Sequence, residues 1–172
     1  MKKTVHLYIV VILSSIASLL RIFNVFFSKY DETVMRQLFQ NLEGIDEAMF
    51  TFMRESISFQ TNLINKAFAV VLLLTLVAVV VLLFLGKNRQ ASCTYLGYLI
   101  GTLLLHTYSF VGSKGLTQIY TDLTTRQIVE IQTLAFYVVN IVLFLIYFGV
   151  TIFFHLRKPK QELSETNHST DI

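Results

Sequence analysis

Few residues in this chain of 172 could do chemistry, and they are dispersed. The histidines are His6, His106, His155 and His168. None has an HxxxH or HExxH neighbour, so hydrolysis by a bound metal lacks ligands at helical spacing. His6 and His155 share a depth where a bis-histidine haem could be held, although histidines at a membrane surface are the commoner occurrence. The single cysteine, Cys93, offers no partner for an intrachain disulfide or a CxxC centre. Ser14, Ser18 and Ser109 are nucleophile types, but no carboxylate lies nearby to complete a triad. Glycine-rich phosphate loops are absent. The sequence therefore points to no catalytic, cofactor-binding or metal site, and the expectation is a protein that is not an enzyme.

One residue still demands an account. The stretch "SSIASLLRIFNVFF", residues 14–27, sets Arg21 inside an apolar run. Hydrophobic residues make up 54% of the chain and charged ones 15%, with a mean hydropathy of +0.61. The apolar residues fall into four blocks, at about 5–27, 67–86, 94–111 and 134–156. Each approaches the roughly 20 residues that a helix needs to cross a bilayer core of about 30 Å. Because a spanning segment must satisfy its own backbone, helices are expected. The third block is the weakest, being rich in Tyr, Thr and Gly.

Charge in the flanks suggests an orientation. Lys2 and Lys3, then Lys87 and Arg89, then Arg157, Lys158 and Lys160 all fall on one side if four spans alternate. The opposite loops, 28–66 and 112–133, carry eight acids and six bases. The expectation is an all-α integral membrane protein with four transmembrane helices over residues 1–158, both ends inside, and a helical extracytoplasmic loop between spans 1 and 2. The apolar run continues past Ser15-Ile16-Ala17 to Phe27, which favours an anchor over a cleaved leader. A polar tail, 159–172, reads as disordered and cytoplasmic. The short basic clusters read as topology signals and exclude a nucleic-acid partner. The composition suggests the plasma membrane of a bacterium.

In the loop at 28–66, Asp31 and Asp46 are placed to cap helices. Gly44 would end the first, and the second would run straight into span 2. Leu38, Phe39, Leu42, Met49, Phe52 and Met53 recur at helical spacing. They predict either a cap packed on itself or a docking face for another protein. Thr124 with Gln127 forms a capping-box spacing ahead of span 4.

Within the spans, helical phase puts Ser14, Ala17, Ser18 and Arg21 on one face, with Asn24 at its edge. Arg21, His106 and Asn140 each lie six residues from the outer end of their span, about 9 Å deep at 1.5 Å per residue. With Asn24 and Thr102 they predict a polar intramembrane layer. No Asp or Glu lies within any span. Arg21 must then snorkel, bond to neutral groups, or meet an anionic ligand or lipid headgroup. Gly97 and Gly101 form a small-xxx-small pair for helix packing. Span 3 thus has two faces to cover, which suggests a homo-oligomer or another membrane protein as partner. Span 2 has no polar stripe and is expected to face lipid most. The function expected is binding, as an accessory, scaffolding or protective subunit of a membrane complex. The alternative is a small transporter or channel component for an anionic solute or lipid, with Arg21, His106 and Asn140 lining its path.

Overall fold

The computed structural model describes residues 5–40 and 46–156, and only the backbone for 154–156. Lys2, Lys3, Leu42, Gly44, the basic cluster at 157–160 and the tail expected over 159–172 lie outside the described residues. Those described form helices joined by short connections, with no strand among them. In chain order the helices are α1 (Val5–Phe27), α2 (Glu32–Phe39), α3 (Glu47–Gln60), α4 (Leu63–Phe84), α5 (Asn88–Leu116) and α6 (Leu123–Leu156), with a 3-10 turn at Thr117–Ile119. Three of them, α1, α4 and α6, are long and apolar enough to cross a membrane. The tyrosines, serines and threonines of α5 hold it below that standard, although it has 29 residues.

The expected caps at Asp31 and Asp46 form. Each carboxylate accepts from a backbone N–H three residues on, at 3.2 Å from Val34 and 2.9 Å from Met49. Elsewhere the local chemistry differs from expectation. Asp122, and not Thr124, starts α6, accepting from the Thr125 N–H and the Thr125 hydroxyl, both at 2.7 Å. An aspartate ahead of the first turn competes well for that role, so α6 begins eleven residues before the expected span. Nor does α3 run straight into α4. Extended backbone at Asn62 breaks the path, its side chain accepts from the Asn65 N–H, and its amide donates to the Tyr108 hydroxyl at 3.0 Å. The Asn65 amide donates back to the Phe59 carbonyl at 2.8 Å, stitching the corner.

The other end of α4 closes on Gly86, whose φ of 71° suits glycine. The Lys87 N–H donates to the Leu82 carbonyl and the Gly86 N–H to that of Leu83, which is the Schellman arrangement. Three residues therefore turn α4 directly into α5, and the two lie antiparallel. Bonds from Ser14 to Tyr95 and from Ser18 to Tyr98 show that α1 runs parallel to α5. Contacts from Thr107 to Tyr137 and from Thr117 to Glu130 show that α6 runs antiparallel to it. The bundle thus has a turn end, holding the α4–α5 connection, and a loop end, holding α2, α3 and the 3-10 turn.

Helix α5 is the centre. It packs on α4 along one flank and on α6 along the other, while α1 packs mainly on α4. The core joins Leu7, Val10 and Val11 of α1 to Leu72, Leu76, Val79 and Leu83 of α4, and to Tyr95, Tyr98, Leu99 and Leu105 of α5. This corrects the expectation for span 2: α4 lies between two neighbours, and α6 is the helix that faces outward most, with 6% of its apolar stretch buried against 28% for α4. A uniformly apolar helix has no polar side to mark its contacts, so its place was not written in its pattern.

Candidate binding cleft

One polar stripe runs along α5. Tyr95, Tyr98, Thr102, His106, Ser109 and Ser113 follow at three- and four-residue steps, so they share a face. The elements opposite that face differ along its length. Towards the turn end, α1 presents Ser14 and Ser18. Ser14 shares a hydrogen bond of 2.8 Å with the Tyr95 hydroxyl, and Ser18 one of 2.9 Å with that of Tyr98. Tyr95 also donates to the Val10 carbonyl at 3.4 Å. Both serines are buried, and Tyr95 is 0% exposed. Phe144, Tyr147 and Phe148 of α6 pack against the same core, and Thr151 is 1% exposed. Here α1, α5 and α6 are sealed together.

Towards the loop end the seal is missing. After Ser18 the only buried residue of α1 is Val25. The position one turn on from Ser18 is Arg21, half-buried, with no hydrogen bond or ion pair among the described residues. Arg21 lies within electrostatic reach of His106 and of Tyr98. Its direction around α1 is fixed by Phe26, whose ring takes Lys66 of α4 at 5.8 Å. Five residues apart on a helix, Arg21 and Phe26 point about 140° from one another, so Arg21 faces away from α4.

On the far side of the stripe, α5 and α6 enclose a cavity of about 170 Å³ lined by His106, Ser109, Phe110, Ser113, Thr133, Phe136, Tyr137 and Asn140. The Asn140 amide donates to the Phe136 carbonyl of its own helix at 2.8 Å. Tyr137 anchors one wall: its hydroxyl lies 3.1 Å from that of Thr107, and its ring stacks on Phe110 at 4.4 Å. Helices α1 and α6 form no packed interface of their own. The polar stripe of α5 thus has Arg21 within electrostatic reach on the α1 side and a cleft lined by His106 and Asn140 on the α6 side.

Of the expected polar layer, the structure thus sets Arg21 near His106, and His106 with Asn140 on one cavity. Thr102 lies on the same face of α5 and donates to the Tyr98 carbonyl at 2.8 Å. Asn24 does not join them. It is exposed, being 60° further round α1 than Arg21. The glycine pair also divides. A Cβ on Gly101 would lie 2.9 Å from Leu72 of α4, whereas Gly97 faces open space. Gly112 is the tighter site, since a Cβ there would overlap the Phe59 ring. Helices α4 and α6 both pack on α5 within one chain.

The loop residues do not make one exposed face. Phe52 turns inward onto Tyr120, with ring centroids 5.3 Å apart, as α3 folds over α5 and the 3-10 turn. Met49, Met53 and Phe39 are half-buried, and Leu38 is 66% exposed. Helix α2 is held by Arg36, which makes a two-pronged contact with Glu47 at 2.7 and 2.8 Å and lies over the Phe50 ring. The hydrogen bond from Arg36 holds the Glu47 carboxyl below its usual range. At the cleft mouth Glu130 is engaged by Arg126 at 2.9 Å and by Thr117 at 3.2 Å, so that acid is already partnered.

The tyrosine–serine seal was not anticipated from the sequence. Its signal is present, since Ser14 and Ser18 lie four residues apart and Tyr95 and Tyr98 three, each about one helical turn, but only the parallel run of α1 and α5 makes it readable. The sequence of residues 1–164 matches the model of a domain family of unknown function, DUF8777, and the chain belongs to that family. No curated protein and no solved structure matches it.

Proposed function

We propose that α1, α4, α5 and α6 all cross the membrane, and that the protein acts by binding, as an accessory subunit that holds a ligand in the cleft beside the α5 stripe. The polar groups of α5 support its inclusion as the fourth span: they meet partners on neighbouring helices, which is how a polar helix survives in hydrocarbon. The alternation of helix directions then puts both termini on one side, and the flanking Lys and Arg argue for the cytoplasmic side.

The observation that carries the binding reading is the unpaired Arg21 within electrostatic reach of His106, on the lining of the cleft. An arginine at the centre of a spanning helix costs roughly 2.5–3.5 kcal/mol on insertion scales, and such residues generally face a protein interior or a wet cavity. The seal from Ser14 to Tyr95 and from Ser18 to Tyr98 closes the route towards the turn end. A blind site favours holding over passage, and so favours the binding subunit over the conduit.

Flux measurements separate the two. Purified protein in vesicles is expected to pass no small anion above the level of empty vesicles. An anion flux that disappears in Arg21→Ala would overturn the binding reading in favour of transport.

A further inference from the structure

The cleft has a chemistry that selects its occupant. Its one charged group is a guanidinium, whose planar fork of donors matches phosphate oxygens. The cavity between α5 and α6 is lined by groups that can donate or accept: His106, Ser109, Ser113, Thr133 and Asn140. No carboxylate is among them, so nothing there repels an anion. That cavity has the volume of about five or six water molecules, enough for a small polar head, and His106 on its lining is within electrostatic reach of Arg21. Its rim is of a different kind. Phe136, on the cavity lining, is 73% exposed, so an apolar ring borders the cavity on the α6 side. A polar pocket with an apolar ring at its edge fits a molecule with an anionic head and hydrocarbon tails.

We propose that the cleft binds the phosphate group of an anionic lipid, with Arg21 as its charge partner and His106 and Asn140 as hydrogen-bonding groups beside it. This inference rests on the reading of the cleft as a binding site within a four-span protein. Arg21 lies about 9 Å from the loop end of α1. The lipid is therefore drawn from the leaflet at the loop end, with its head lowered beneath the usual headgroup level.

The test is native mass spectrometry of the full chain released from nanodiscs of mixed phosphatidylglycerol and phosphatidylcholine. Wild-type protein is expected to retain phosphatidylglycerol selectively. Arg21→Gln should reduce that retention about tenfold, the loss of one charge-assisted hydrogen bond. Arg21→Lys should restore part of it, and Asn140→Leu should weaken it without changing Arg21. Arg54→Gln, at an exposed site paired with Glu55, serves as the control and should retain lipid as wild type does. A second arm adds inorganic phosphate to lipid-free protein and follows thermal unfolding. Arg21-dependent stabilisation by phosphate alone would keep the anion site and assign it to a free anion. Equal retention by wild type and Arg21→Gln, with no phosphate effect, would overturn the proposal. Labelling of Lys87→Cys and Lys114→Cys, each in a Cys93→Ser background, reports separately on the span reading. Labels entering from opposite sides with no Arg21-dependent lipid would sink the ligand assignment alone.

Discussion

The turn half and the loop half of the bundle use the same floor, the polar stripe of α5, and reach opposite outcomes. At the turn end two hydroxyl residues on α1 each meet a tyrosine that reaches across from α5. At the loop end the next position on the same α1 face is Arg21, whose charge has no acid partner among the described residues. Hydrogen bonds across membrane helices stabilise by about 0.6 kcal/mol on average. Along one face, α1 therefore changes from paired hydroxyls to an unpaired charge. Stability is concentrated in one half, and unfilled chemical capacity in the other.

The largest test of that contrast compares two tyrosines. Tyr95→Ala should cost about 3–5 kcal/mol in detergent unfolding, the loss expected for a large buried ring. Tyr137→Ala, on the cleft wall, should cost about 1–2 kcal/mol, within the common range for a partly exposed site. Equal losses would break the comparison. Next, Gly112→Ala must displace the Phe59 ring and should lose about 1–3 kcal/mol by overpacking, whereas Gly97→Ala meets nothing and should be neutral. Such a result would show that the loop end is held by α3 where α1 fails to hold it.

Replacing Arg21 by serine continues the Ser14–Ser18 series. Arg21→Ser should change unfolding stability by no more than about 0.5 kcal/mol, in either direction. A large loss would mean that Arg21 is a structural tie, and the two halves would no longer differ in kind. The smallest effect concerns α2. Hydrogen bonding to Arg36 depresses the Glu47 carboxyl below its ordinary value of 4.5, so the clamp stabilises α2 above that value and weakens as pH falls through the depressed one. A spin label at Leu38→Cys in a Cys93→Ser background should become more mobile only below pH 4.5. A label equally mobile at pH 7 and at pH 3 would show that Glu47 does not hold α2.

Much of the helical framework could be read from the residues. Val5–Phe27 was expected to the residue because a long apolar run with a polar exit has clear ends. The caps at Asp31 and Asp46 were legible for the same reason, since the signal is local. What escaped was set by neighbours. Thr124 with Gln127 has the form of a cap, but Asp122 two residues earlier takes both the Thr125 N–H and hydroxyl. Phase on α1 put Asn24 at the edge of the polar face, and only the position of α5 shows that this edge points outward. Helix rise alone gives Arg21, His106 and Asn140 one expected depth. That His106 and Asn140 line one cavity required knowing that α5 and α6 pack on each other.

The length of α6 has a mechanical meaning. Its 34 residues make a rod of about 51 Å, well beyond the roughly 30 Å of a bilayer core. One flank rests on α5, and at the foot Thr151 is 1% exposed. A tilt of 10° about that foot would swing the tip, 28 residues away, by about 7 Å. That tip carries Arg126 and Glu130, latched to Thr117 in the opposite connection. Whatever widens or narrows the gap beside Asn140 is thus geared up into a larger stroke at the latch, where another molecule could sense it.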